Sequence, residues 1–332
     1  MSYIINKNLI YLILSISFFF GCSSKQYYEP QDTKGGNFEY KDINSTIISI
    51  TSDGATLEDG GYISSKGIQT RSKAGFEFIN QQNDTVILAN LNGEVIVSTK
   101  ENSKLFKFKN DVISASIKNN LLALLFVDNS IALYNMENRK ILFKEYFKPS
   151  VVNNTKIANP IFLNKIILYP TLNGKIVIAN IKNKNITKRL NIDPRNDINN
   201  IIYLKQVNDD TLIVATSNRI FTFVDGKVAK DDLFIKDIAY KNRYIYVASL
   251  DGRVIKYDIN LNKIKKIKFK FANIYAIVAS KNIYALESQG YLIKMNKNLE
   301  DIVVYDFSFD EKQKVISIGD TLYYEDQYIK LD

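Results

Sequence analysis

The chain has 332 residues, a formal charge of +9, no His, no Trp and a single Cys. Without His it lacks the commonest general base and transition-metal ligand, so the Ser/His/Asp and Cys/His constellations are excluded together. One Cys allows neither a disulfide framework nor Cys-ligated zinc, and Lys scattered through a background rich in Ile and Asn does not form the clustered Arg and aromatic face of a nucleic-acid binder.

In chain order, the first feature is an apolar run from Leu9 to Phe20, preceded by one charge at Lys7 and closed by Gly21 and Cys22. About a dozen apolar residues make a signal-peptide core and fall short of the ~20 that cross a bilayer. Phe19, Phe20, Gly21 and Cys22 resemble the lipobox of bacterial lipoproteins, with Gly21 and Cys22 matching and the two phenylalanines departing from the usual pattern. The resemblance implies cleavage after residue 21 and acylation of Cys22, with palmitate among the acyl chains. Ser23 and Ser24, where Asp would signal inner-membrane retention, imply the periplasmic side of the outer membrane. Residues 22–36, polar and turn-rich, read as a lipidated flexible tether.

From residue 37 to the C-terminus the apolar runs are short, β-branched or aromatic, and broken by Asn, Asp or Gly, which is an all-β pattern. A hairpin recurs, strongest in DTVILANLNGEVIVS (84–98), NKIILYPTLNGKIVIAN (164–180) and RYIYVASLDGRVIKYD (243–258). Aligned on the turn, eight members fall at Gly61, Gly93, Ser130, Gly174, Arg219, Gly252, Gly290 and Gln327, spaced by 32 to 45 residues. Asn92-Gly93, Asn173-Gly174 and Asp251-Gly252 suit two-residue primed turns, which need positive φ. Further strand-like runs between hairpins, such as KLFKFK and VISASIK, give about four strands per unit, the period of a β-propeller blade. Eight blades fit the count, with seven blades or two stacked all-β domains as alternatives. The chain stops one strand short of a complete last blade while NFEYKDI (37–43) lies spare before the first repeat; pairing them would close the ring.

These repeats resemble PQQ-like propeller repeats, with Phe or Ile in RKILFKEYF and KIKKIKFKF at the position of the docking Trp. A signal-bearing lipoprotein with such a propeller is similar to the BamB family of the outer-membrane β-barrel assembly machinery. The resemblance implies a non-enzymatic scaffold without cofactor or metal, which binds the periplasmic domains of the barrel-forming subunit and unfolded outer-membrane proteins. In that family two adjacent interblade loops make the contact. The two long intervals here, KPSVVNNTKIANP (148–160) and RLNIDPRNDINN (189–200), occupy those places. Carried over by position, the contact residues are Ser150, Val151, Val152 and Asn153 in the first, and Asp193, Arg195, Asp197 and Asn199 in the second. Two other functions stay open: a ligand-binding or PQQ-like propeller enzyme or sensor with its site in the central channel, and a surface lipoprotein with an adhesive role.

The string KIKKIKFKF (263–271) alternates on a strand, with Ile267, Phe269 and Phe271 on one side and Lys266, Lys268 and Lys270 on the other. A lysine face guards an outer edge; contact with anionic lipid headgroups is the alternative. Asp209/Asp210, Asp231/Asp232 and DINLNK (258–263) read as turn residues rather than as an acid–base pair or a calcium loop.

Overall fold

The computed structural model describes residues 26–70, 73–150, 152, 154–194 and 199–332. Eight sheets of antiparallel meander follow one another around a ring: blade 1 (47–69), blade 2 (77–107), blade 3 (112–145), blade 4 (161–191), blade 5 (203–232), blade 6 (235–268), blade 7 (274–306) and blade 8 (315–330). Blade 3 shows the pattern, with Val112–Lys118 innermost, then Leu121–Phe126 and Ile131–Asn135, and Lys140–Glu145 outermost. Its two middle strands are almost wholly buried and its outermost is half-exposed. A strand covered by sheets on both sides reads as a continuous apolar run, whereas the rim strand carries lysine.

The ring closes as the spare strand suggests. Blade 8 supplies three strands from the C-terminus, and Tyr40–Asp42 adds the fourth, with Tyr40 opposite Ile329 and Asp42 opposite Gln327. Each of the eight blade interfaces has its own buried apolar cluster. Ile87, Val95 and Phe106 meet Leu122, Leu124 and Tyr134 between blades 2 and 3, and Ile316 and Tyr323 meet Ile47, Ala55 and Ile63 across the closing interface. The missing tryptophans are replaced as expected. An aromatic just beyond the outermost strand docks on the next blade, as in Phe108 against Phe126 at 5.8 Å and Phe307 against Tyr324 at 5.0 Å.

The N-terminal stretch read as a tether lies against the ring over its described part. Tyr28 packs edge-on to Phe269 and Tyr291, and Lys34–Gly35 runs parallel to Tyr305 and Asp306 as a fifth strand of blade 7.

The blade tips differ from the primed-turn expectation. Only the glycine of each Asn-Gly or Asp-Gly pair has positive φ, and in blade 2 Gly93 N–H donates to the Asn90 carbonyl while Asn90 N–H donates to that of Glu94. This is a three-residue turn ending in a left-handed glycine. The Asn90 side chain selects it by accepting from the Asn92 and Glu94 N–H groups, both at 3.0 Å. The glycine itself cannot be replaced cheaply. At Gly252, φ is +80° and a Cβ would fall 2.4 Å from the Phe269 carbonyl oxygen and 2.8 Å from that of Ala272. Gly252→Ala is expected to destabilise by about 2 kcal/mol or more, read as a lowered unfolding midpoint in urea with an unchanged slope.

Among the tyrosines whose hydroxyls burial holds above the usual pKa, five are held well above it: Tyr169, Tyr203, Tyr246, Tyr257 and Tyr324. Tyr246 is pushed up to about 12. An acid whose folded pKa exceeds its unfolded pKa near 10 stabilises the fold fully below pH 10 and progressively less above it. The melting temperature should therefore fall steeply above pH 10. The phenolate absorbance of these five should rise together with unfolding rather than before it.

Candidate functional site

Two faces bound the ring. One carries the turns between second and third strands together with the linkers between blades, and is called here the front face; the other carries the remaining hairpin turns. Both long linkers, 146–160 and 192–202, emerge on the front. They are joined to each other and to the turns beneath them.

In the first linker, Ser150 Oγ donates to the Leu172 carbonyl at 3.0 Å, and Asn129 bridges the Lys148 carbonyl and the Leu172 N–H. Val152 is half-buried against the blade 3–blade 4 cluster. Asn154 N–H then donates to Asn200 Oδ1 of the second linker, and Asn200 Nδ2 returns bonds to the carbonyls of Asn154 and Lys156 at 3.1 and 3.0 Å. In the second linker, Asp193 and Asn199, expected on sequence to meet a partner, are 2% and 0% exposed. Asn199 Nδ2 donates to Asp193 Oδ2 at 2.6 Å and to Thr216 Oγ1 at 2.9 Å, so the two residues cinch the base of the loop. Val151, Asn153, Arg195, Asp197 and Cys22 lie outside the described residues.

The first linker does something no sequence motif announces: it turns inward and crosses the ring. Lys156 Nζ reaches Asp237 Oδ1 of blade 6 at 2.8 Å, with both side chains largely buried. Asp237 Oδ2 also accepts from the Ile277 N–H at 2.9 Å and from Ser317 Oγ at 3.3 Å, linking blades 6, 7 and 8. Three residues on, Asn159 Nδ2 donates to Asp53 of blade 1 at 2.6 Å, while its Oδ1 accepts from Ser114 Oγ and the Ala115 N–H of blade 3. Residues 154–159 thus plug the front mouth of the central channel.

Behind the plug remains a cavity of about 370 Å³, open between the back-face turns and lined by Asp53, Lys156, Tyr203, Lys236, Asp237 and Ser317 among others. Burial, with the nearby Lys156 charge, pulls Lys236 below its usual pKa, and its ammonium lies 4.3 Å over the Tyr275 ring. Among the described residues no group of His, Cys, Asp and Glu is arranged to hold a metal ion. DINLNK is a turn, in which Asp258 Oδ1 accepts the N–H groups of Asn260 and Asn262. Asp231 accepts from Tyr257 and pairs with Lys263, while Asp232 pairs with Arg219.

Exposed apolar side chains mark the front face. Leu91, Val127 and Leu250 cap turns of blades 2, 3 and 6, and Phe234 and Phe271 stand in linkers. Leu91 is 82% exposed. The back-face turns between first and second strands of blades 2, 3, 5 and 6 end instead in Asn83-Asp84, Asn119-Asn120, Asp209-Asp210 and Asn242-Arg243, while Ile302 stands exposed just before the last strand of blade 7. The lysine strand Lys263–Lys268 follows its expected alternation only in part. Ile267 packs inward and Phe269 is buried, but a bulge opposite Lys256 and Tyr257 turns Ile264 outward, and a φ of +63° at Phe271 turns that ring to solvent.

Fold and site together define a closed eight-bladed β-propeller with a plugged channel and one apolar, loop-bearing face. No family model matches the chain. In sequence it is similar to the plasminogen-binding protein PgbB of two Helicobacter pylori strains, 29% and 28% identical over 88% of this chain, which spans 63% of the length of each. In structure it resembles BamB from Moraxella catarrhalis, with a TM-score of 0.64 and 13% identity over 90% of this chain and all of that one. The C-terminal WD40 domain of Sif2 is similar at a TM-score of 0.63 and 13% identity over 90% of this chain and 100% of that one. At such identities these structures establish the propeller fold.

Proposed function

We propose that this chain is a non-enzymatic, lipid-anchored envelope scaffold, which binds a protein partner through its front face. The observation that carries the reading is the pairing of two consecutive linkers, braced through Asn154 and Asn200, on the face that also exposes Leu91 and Val127. A rigid ring presenting loops and apolar tips on one side is how a propeller recognises another protein. The lipobox-like Cys22 and the fold shared with BamB favour the barrel-forming subunit of the outer-membrane assembly machinery as that partner, with unfolded outer-membrane proteins as further clients.

A second reading is an adhesive surface role, favoured by the relatives named for plasminogen binding. Affinity capture from crosslinked, detergent-solubilised membranes separates the two. The scaffold reading expects the barrel-assembly subunit at near-stoichiometric recovery. Its absence, together with plasminogen binding by intact cells that Leu91→Ser/Val127→Ser abolishes, would establish the adhesive role instead. Stoichiometric binding of a small molecule in the channel cavity would argue for the ligand-binding class.

A further inference from the structure

Phe234, Leu250 and Phe271 form one patch on the front face at blades 5 to 7, and their exposures are 59%, 46% and 43%. Backbone bonds hold their segments side by side: Leu250 N–H donates to the Phe234 carbonyl at 3.0 Å, and Phe269 N–H to that of Gly252 at 2.9 Å. The patch is edged with cations. Asp251 is matched by Arg253 at 2.8 Å and Lys268 at 3.9 Å, while Lys270 lies 4.8 Å over the Phe271 ring. Aromatic and aliphatic tips amid excess positive charge suit an interface where apolar groups enter the headgroup layer and lysines meet lipid phosphates.

The N-terminus leads to the same place. Tyr28 is clamped between Phe269 and Tyr291, just past the front-face turn of blade 7, and Tyr27 beside it is 45% exposed. Cys22 is six residues earlier in sequence, so no conformation of the chain separates it from Tyr28 by more than about 20 Å. An acyl chain at Cys22 would hold this edge of the front face near the bilayer and leave the back-face turns farther away by the depth of the blades.

We infer that the Phe234–Leu250–Phe271 patch is a membrane-docking surface, seated on an anionic phospholipid leaflet so that the front face looks toward the membrane. The inference rests on the proposed anchoring at Cys22, and the test keeps the two apart. Cys22 is the only native thiol, so in acylated protein an introduced cysteine is the sole site for a thiol-reactive fluorophore. The full-length chain is expressed with its leader as Leu250→Cys or, on the back face, Asp209→Cys. Each is labelled, reconstituted in phosphatidylglycerol-containing vesicles, and quenched by nitroxide-bearing lipids.

Quenching several-fold stronger at 250 than at 209 is expected, as is its loss when Phe234→Ser and Phe271→Ser are added to the Leu250→Cys chain. Circular dichroism checks that these exposed substitutions leave the fold intact. Equal quenching at the two positions, or stronger quenching at 209, overturns the inference. So does protection of position 250 that appears only when membrane proteins are added, which would make the patch a protein contact. Labelling of the wild-type chain would show that Cys22 is free and sink the anchor alone. The labelled Leu250→Cys and Asp209→Cys chains, both in a Cys22→Ser background, are then mixed with the same vesicles. Binding with quenching at 250 supports docking, and failure to bind refutes it.

Discussion

A chain lacking residues 26–43 will lose its cooperative melt, become sensitive to protease and associate through blade 8. Its third strand, Gln327–Lys330, would become an unpaired edge, because among the described residues Tyr40–Asp42 is its outer neighbour. The deletion also removes Ile43, 6% exposed in the closing cluster, the Phe38 ring lodged 5.2 Å from Tyr305, and the Tyr28 clamp. Full burial of a large apolar side chain contributes about 1.5–3 kcal/mol, so Ile43 with the half-buried Phe38 and Tyr28 removes a sizeable share of the 5–15 kcal/mol that holds a typical domain. The point variant Ile43→Ala isolates the cluster from the edge. It should cost about 2–4 kcal/mol in urea unfolding and leave the protein monomeric on size exclusion.

Asp237→Ala should be among the most destabilising single changes in the chain, at about 3–5 kcal/mol by urea unfolding. The carboxylate accepts from three donors in different parts of the ring, namely Lys156 of the plug, the Ile277 N–H and Ser317. Removing it leaves a buried ammonium and an unsatisfied amide, which costs more than the pair contributes. The mechanism makes a sharper prediction for the double variant Lys156→Met/Asp237→Ala. With no orphaned charge it should recover part of the loss, giving a coupling energy of about 1 kcal/mol or more. Additive effects would mean that the plug is not held by this pair.

Much of the architecture is legible in the sequence because its causes are local. Alternating apolar runs, a glycine at five of the eight blade tips and Phe in place of the docking Trp all act within one hairpin or its neighbour, so eight repeats and the spare strand 37–43 could be read directly. The plug could not. Lys156 and Asp237 are 81 residues apart, and Asn159 and Asp53 are 106 apart. Only the curvature of the ring brings them together, and nothing in VVNNTKIANP distinguishes an inward-turning loop from an external one. The same holds for Asp193 and Asn199, whose polar side chains suit a contact surface as well as they suit a buried brace. Lys34–Gly35 carries no strand propensity and pairs because the outer edge of blade 7 offers unpaired backbone groups beside it. The turn type is set from outside the Asn-Gly pair: Asn90, two residues before it, determines the geometry.

The two faces of the ring differ in chemistry. Apolar tips, braced linkers and the clamped N-terminus lie on the front, and the back-face turns between first and second strands of blades 2, 3, 5 and 6 carry Asn, Asp and Arg. Photo-crosslinking in intact cells tests that asymmetry directly, with a photoreactive amino acid placed at Leu91, Val127, Asn83 or Asn242. A front-face partner predicts discrete protein adducts from Leu91 and Val127 and none from Asn83 and Asn242. Adducts from the back-face positions with none from the front would contradict it.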